Sequence, residues 1–285
     1  VVDSLLHDLE VEMSEGDSTE FVLVDKPAPH VTVVTLNRPE RMNAMAFDVM
    51  IPLREALEQV SHDNETRAVV LTGAGHGFCS GADLVSPGRM PHIAGLTRTT
   101  IAQRAGELLH DVIVEIVDMP HPVIAAINGP AIGGGLCLAA ACDIRLAAPE
   151  AYFRAAGINN GLTAAELGLS FVLPRVIGSG RSAELMLTGR DMDAQEAERC
   201  GLVSRVVPQA ELLPAALEVA DRIDGLSRIG VELTKKMHWA GLESSSFKGH
   251  MSNEMTHQLY VRLTTANFEE AITARKEGRS PDFQD

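Results

Sequence analysis

Aromatic side chains are scarce in this chain, with one Trp, two Tyr and eight Phe among 285 residues. That is too few for the stacking platforms on which single-stranded nucleic acid is bound. Positive charge is also in short supply. Lys and Arg number 24 against 39 Asp and Glu, and the resulting net charge of −15 argues against nucleic acid or an anionic membrane surface as a partner. No stretch approaches the ~18 consecutive apolar residues of a membrane span. Val1 to Glu20 is acidic and lacks the basic region and apolar core of a signal peptide; a loose tail is expected over residues 1–20. The four cysteines, Cys79, Cys137, Cys142 and Cys200, form no CxxC pair and no His-paired metal pattern. Reduced thiols in a cytoplasmic protein are therefore expected, with no metal or redox cofactor.

What remains is a chain rich in Ala and Gly, with 45% hydrophobic and 22% charged residues, the balance of an ordinary globular protein. Val31 to Leu36 is a β-branched run closed by Asn37-Arg38-Pro39, so a strand and a turn. Val49, Leu53, Ala56, Leu57 and Val60 keep helical spacing between Asp48 and Val60, with Pro52 placed near the first turn. Ala68 to Thr72 reads as a strand. A longer amphipathic helix is expected around Thr97 to Val117, stopped by Pro120 and Pro122. Val123 to Ile127 is a buried strand, Leu136 to Cys142 a helix of small residues, and Ile144 to Ala147 another strand. Recurring strand–turn–helix units predict an α/β core with parallel strands from about residue 21 to 226. After Ser227 strand signals vanish, and residues 227–285 read as a helical region suited to packing on another subunit.

Two glycine-rich turns carry the chemistry. One is Gly77-Phe78-Cys79-Ser80-Gly81-Ala82-Asp83-Leu84, after a strand; the other is Asn128 to Gly135, which runs from a strand into a helix through Gly133-Gly134-Gly135. Consecutive glycines at a helix start expose N–H groups beside the positive end of the helix dipole. Such donors suit a carbonyl oxygen that gains negative charge, because no side chain must reorganise as the charge develops. Tight strand–helix packing explains either turn alone; the pair together asks for more. Gly77-Phe78-Cys79-Ser80-Gly81 also has the spacing of a nucleophile elbow with a thiol, but it stands too far from the strand end, and a structural Cys79 is the better reading. Gly73-Ala74-Gly75-His76-Gly77 lacks the third glycine and the long helix of a dinucleotide loop. Asp83 and Asp143 are of the type that caps turns and helices.

The runs LNRPERMNAM, FCSGADL, PVIAAINGPAIGGGLCLAAACD, LTGRDMDAQEAERCGLVSRVV and NFEEAITARKEGRSPDF, in that order, resemble successive signatures of the enoyl-CoA hydratase/isomerase (crotonase) family over about residues 21–285. The resemblance implies a spiral of ββα units followed by a helical trimerisation region, assembled as a homotrimer or a dimer of trimers. It implies an acyl-CoA thioester as substrate, with coenzyme A entering only as part of that substrate. The oxyanion donors it implies are the N–H groups of Ala82 and Gly134. Arg41, Ala44, Ser80, Asp83 and Leu84, with Gly133 and Gly157, fall where the family holds the substrate and its CoA moiety; Lys235, Lys236, Arg275, Lys276 and Arg279 are further candidates for its phosphates, with a solvated face as the default for such charges.

At one point the pattern breaks. Hydratases of the family use two glutamates, and their positions here are Cys137 and Gly157. A thiol with a pKa near ~8.5 is mostly protonated at neutral pH, and glycine transfers no proton. Glu166, in Gly161-Leu162-Thr163-Ala164-Ala165-Glu166, resembles the acidic residue of the family's dienoyl-CoA isomerases and is the remaining candidate for proton transfer. The competing expectation is an acyl-CoA-binding member that has lost its acids.

Overall fold

The computed structural model describes residues 20–284, so the loose tail expected over residues 1–20 lies outside the described residues, Glu20 apart. The chain opens with an antiparallel hairpin of β1 (Val22–Ala28) and β2 (Val31–Leu36), followed by α1 (Phe47–Ser61), β3 (Ala68–Gly73) and α2 (Arg98–Asp118). Thr97 caps α2, its hydroxyl accepting from the Thr100 N–H at 3.3 Å. Then come β4 (Val123–Ile127), β5 (Ala131–Ile132), α3 (Gly134–Ala141), β6 (Ile144–Ala147) and β7 (Tyr152–Arg154). After a 3-10 turn at Ala156–Asn160, α4 (Leu169–Ile177), α5 (Ser179–Thr188), β8 (Met192–Asp193), α6 (Ala194–Cys200) and β9 (Arg205–Val206) complete the strands. Helices α7 (Leu212–Asp224), α8 (Arg228–Glu243), α9 (Phe247–Thr264) and α10 (Asn267–Glu277) finish the chain.

The large sheet has the order β1-β2-β3-β4-β6-β9, parallel beyond the first hairpin, and a small sheet has the order β5-β7-β8. The topology repeats a unit: a large-sheet strand, a short crossing into the second layer, then a helix. β4-β5-α3 shows it most plainly, and after β3 the crossing is the bridge between Cys79 and Ala131. This is the expected ββα spiral. The central strands of the large sheet are covered on both faces, which is why β3 and β4 read as nearly unbroken apolar runs. Val33, Ala68, Val70, Ile124 and Ala126 pack under α7 with Leu212, Ala216 and Ala220. Alternate residues Val34, Val69, Leu71, Val123, Ala125 and Ile127 face the main core with α1, α2 and α3.

Two expectations need correction. Helix α1 begins at Phe47, so Pro52 lies inside it rather than near its first turn and removes one backbone hydrogen bond. Lys235 is neither on a solvated face nor placed for a phosphate. It is buried, and its ammonium donates to the Ile116 and His121 carbonyls at 2.9 Å each and pairs with Asp143 Oδ2 at 3.0 Å. Trp239 Nε1 donates to the other Asp143 oxygen at 2.8 Å. This polar knot ties α8 to the sheet, because a buried ammonium needs every donor satisfied. Among the described residues no helix is long and apolar enough to cross a membrane.

Candidate active site

Both glycine turns meet at the edge where the large sheet gives way to the small one. The segment Cys79–Asp83 runs between two others. On one side, Met45 N–H donates to the Gly81 carbonyl at 2.7 Å, and Met45 O accepts from the Asp83 N–H at 3.2 Å. On the other, Ile132 N–H donates to Cys79 O at 3.0 Å, and Pro130 O accepts from Phe78 and Cys79 at 3.1 Å. The bonds to Met45 consume the polar groups flanking Ala82 and leave its own N–H directed off the opposite edge.

Gly133 stands in the left-handed region at φ 53 and turns the chain into α3. Gly134 then begins the helix, so its N–H belongs to the first turn, where no intrahelical acceptor exists. A Cβ on Gly81 would lie 3.5 Å from the Gly134 nitrogen, which brings the Gly81–Ala82 peptide alongside that amide. Gly135 is pressed so closely on the Cys79 carbonyl that any Cβ there would overlap it. Among the described residues, neither the Ala82 nor the Gly134 N–H is given to a protein acceptor. Ala82 is exposed and Gly134 buried, an arrangement of rim and floor. At the far end of α3 the Arg145 guanidinium donates to the Ala140 and Cys142 carbonyls, satisfying that terminus while the N-terminal amide stays bare.

Glu166 enters from the loop before α4. Its Oε1 lies 3.6 Å from the position a Cβ on Gly133 would take, next to the bare Gly134 amide. No described group donates to its carboxylate, and burial raises its pKa above the usual carboxylate range. The next residue, Leu167, adopts φ 44, a costly conformation for a γ-branched side chain, and Gly168 follows at φ 80. Left-handed strain at a non-glycine residue persists only where its surroundings enforce it. Here it turns Glu166 inward while the Leu167 Cδ1 approaches Gly134. Cys137 is buried beneath, its thiol donating to the Glu166 carbonyl at 3.6 Å. Burial, and then the Glu166 charge, push that thiol well above its usual pKa. Cys79 is fully buried with its pKa pushed up to about 12 by desolvation, which removes the nucleophile-elbow reading.

The residues expected around the CoA moiety separate by role. Asp83 has a side chain only 1% exposed and accepts from Arg38 Nη1 at 3.0 Å and Arg41 Nη2 at 2.6 Å, as well as from the Val85 and Ser86 amides. Burial pushes its pKa up, but the Arg41 bond and the two amides outweigh it and hold the group at about 2. Its oxygens are thus spent inside the protein, and what it offers outward is the orientation of Arg41. Ser80 Oγ donates to the Arg41 carbonyl at 3.3 Å; Ala44 is buried, and Leu84 is exposed. Gly157 is buried, and a Cβ there would overlap the Thr163 carbonyl oxygen, so its glycine answers to a backbone contact. Lys236, Arg275 and Lys276 are exposed, and Arg279 pairs with Glu270 and Glu277.

Sequence reasoning missed Asn43. It is fully buried at φ 54; its Nδ2 donates to the Ala74 and Gly77 carbonyls at 3.0 and 2.8 Å, and its Oδ1 accepts from the Arg38 N–H at 2.8 Å. Asn128 Nδ2 reaches the same Gly77 carbonyl at 3.2 Å. These two amides knot three loops behind the site. The only sequence signal was an Asn between Met42 and Ala44, a residue type that tolerates left-handed backbone.

Comparison with known proteins identifies the family. The family model described as enoyl-CoA hydratase/isomerase matches residues 28–285. A probable enoyl-CoA hydratase of Mycobacterium tuberculosis is 62% identical over 268 residues, covering 94% of each chain. The crystal structure of a probable enoyl-CoA hydratase/isomerase from Mycobacterium abscessus is 61% identical with a TM-score of 0.89, over 93% of this chain and 99% of that one. That of a monofunctional enoyl CoA isomerase from M. smegmatis is 55% identical with a TM-score of 0.70, over 82% of this chain and 99% of that one. Matched so fully in both sequence and fold, the chain belongs to the enoyl-CoA hydratase/isomerase family.

Proposed function

We propose that this enzyme isomerises enoyl-CoA thioesters, moving a double bond through an enolate held by the Ala82 and Gly134 N–H groups, with Glu166 carrying the proton. The observation that bears the weight is a lone, unpaired, half-buried carboxylate beside Gly133, where its neighbour Gly134 offers an unclaimed amide. A 3-enoyl thioester would place its carbonyl oxygen between the two amides. Glu166 would take a proton from C2, negative charge would spread onto the oxygen, and the same carboxyl would return the proton at C4. Substrate and product are isomers, so one group that leaves and returns a single proton is sufficient. Hydration by the family's two-glutamate route needs a second acid–base group, and the thiol of Cys137 and the backbone of Gly157 supply none. The M. smegmatis relative named as an isomerase supports the same choice, and fatty acyl-CoA metabolism is the setting that such a reaction fits.

Helix α9 supports assembly into a homotrimer or a dimer of trimers. None of its residues is buried, and Phe247, Met251, Met255, Leu259 and Leu263 recur every four positions, Phe247 being 81% exposed. Apolar surface of that extent on one helix marks a protein interface.

The test is a substrate panel. The purified enzyme is assayed with 3-enoyl-CoA, 2-enoyl-CoA and saturated acyl-CoA, and deuterium uptake at C2 is followed in heavy water. Turnover of the 3-enoyl thioester well above hydration of crotonyl-CoA is expected. Tight binding by calorimetry without conversion or exchange on any of them would instead identify an acyl-CoA-binding protein.

A further inference from the structure

We propose that Met45 is a positioning residue that fixes the separation of the Ala82 and Gly134 amides. The proposal rests on the reading of those amides as the thioester's oxyanion donors. Met45 is in contact with both sides of the pair. Its main chain brackets Ala82, donating to Gly81 O at 2.7 Å and accepting from Asp83 N–H at 3.2 Å, the parallel bridge that aims the Ala82 N–H outward. Its side chain lies on Gly134: a Cβ there would overlap the Met45 sulfur and stand 3.0 Å from its Cε. One residue thus grips one donor by its backbone and props the other by its thioether.

The alternatives for this side chain are weaker. Met45 sits at the edge of the main core with 9% of its surface exposed, so plain core filling explains its burial. Core filling does not explain why the side chain ends on Gly134, the donor-bearing residue, beside Gly135, which is already held against the Cys79 carbonyl. Gly134 has no side chain of its own to resist displacement, and its hydrogen bond is reserved for the ligand. A flexible thioether that fills an irregular gap is the nearest side chain to a Cβ placed there, with Leu167 Cδ1 next at 3.6 Å from the same Cβ position.

The experiment reads donor geometry directly. A saturated acyl-CoA labelled at the carbonyl is bound to the protein, and the C=O stretch is measured by difference infrared spectroscopy beside kcat and KM for the 3-enoyl thioester. In the wild type the stretch should fall relative to free ligand. Met45→Ala should lose most of that shift and lower kcat by ~10²-fold, the scale of a misplacement of about 1 Å at a reacting centre, with KM little changed. Met45→Leu, which conserves volume, should restore both. If Met45→Ala does not fold, Met45→Val, which keeps the strand bridge and shortens the prop, takes its place in the same comparison. A full shift and normal kcat in the shortened variants overturn the role of Met45. Absence of any shift in the wild type overturns instead the oxyanion reading on which it stands.

Discussion

Replacing Glu166 with Gln changes one oxygen to nitrogen and removes the carboxylate that stands beside Gly133 at the second glycine turn. The space is kept, so binding of acyl-CoA should persist and KM should move little. General acid–base catalysis is worth ~10²–10⁴-fold, and the upper half of that range is expected, because the nearest titratable neighbour cannot stand in. Cys137 is held protonated chiefly by burial, which the substitution leaves in place, and Cys79 titrates only near about 12. In the proposed role Glu166 must be ionised to act as a base, and burial raises its pKa; the acid limb of kcat/KM should therefore lie above the usual carboxylate range and vanish in Glu166→Gln. The same shift has a stability consequence of definite sign. A group whose folded pKa exceeds its unfolded one contributes stability below the unfolded pKa, and that contribution is lost as pH rises through the folded value. At neutral pH the ionised Glu166 costs the protein stability, so Glu166→Gln should melt no lower than wild type at pH 7 and lose that advantage in acid. A variant with kcat within a few-fold of wild type on every substrate that turns over would remove Glu166 from the mechanism.

Asp83 has the opposite sign. Its folded pKa is held at about 2, so its contribution is present above the ordinary value of ~4 and is lost as pH falls through about 2. Asp83→Asn takes from Arg38 and Arg41 the carboxylate that pairs with both, leaving Arg38 only the exposed Glu40 at 3.7 Å, and should lower stability; urea unfolding at pH 7 and pH 3 should show the gap narrowing in acid. On α9, Met255→Glu and Leu259→Glu together should turn an oligomer into a monomer in sedimentation velocity if that face is the assembly surface. Unchanged sedimentation would remove it from the interface.

The parts of the fold that could be read from the chain are those where one physical demand dominates. β2, β4 and β6 lie at Val31–Leu36, Val123–Ile127 and Ile144–Ala147, where β-branched or apolar residues predominate between turn residues, most purely in β4, because a strand covered on both faces favours them. The strands that escaped are those stabilised from a distance. β5 and β8 have two residues each and β7 has three, too short for any period; they exist because Ala131 and Ile132 pair with Phe153 and Arg154, and Phe153 pairs with Met192. β1 escaped for another reason. Its polar Asp25 and Lys26 sit at an exposed sheet edge, and its antiparallel pairing with β2 departs from the all-parallel expectation. Helix α3 starts at Gly134, two residues before the apolar run that announced it; tertiary packing against Cys79 overrides the poor helix propensity of two glycines. The glycine turns themselves were legible because backbone chemistry leaves its mark as glycine. Asn43 was not, since a buried polar hub shows its partners only in three dimensions.

The absence of a glutamate at 157 and the presence of one at 166 are two sides of one geometry. A Cβ on Gly157 would overlap the Thr163 carbonyl oxygen and stand 2.8 Å from the carbonyl carbon and 3.4 Å from the Ala164 Cα. That volume is filled by residues 163–164, the stretch of loop that carries Glu166 to Gly133. The path delivering the carboxylate from one side thus excludes a side chain from the other, and the protein can hold one acid but not both. Gly157→Glu should therefore not create a hydratase. It should overpack the loop, at a cost of ~1–3 kcal/mol, displace Glu166, and lower isomerisation with no gain in hydration. Comparing crotonyl-CoA hydration with 3-enoyl-CoA isomerisation in this variant decides the matter. A rise in the first at undiminished rate in the second would mean that the two carboxylates can coexist, and that the missing acid reflects something other than the space the loop has taken.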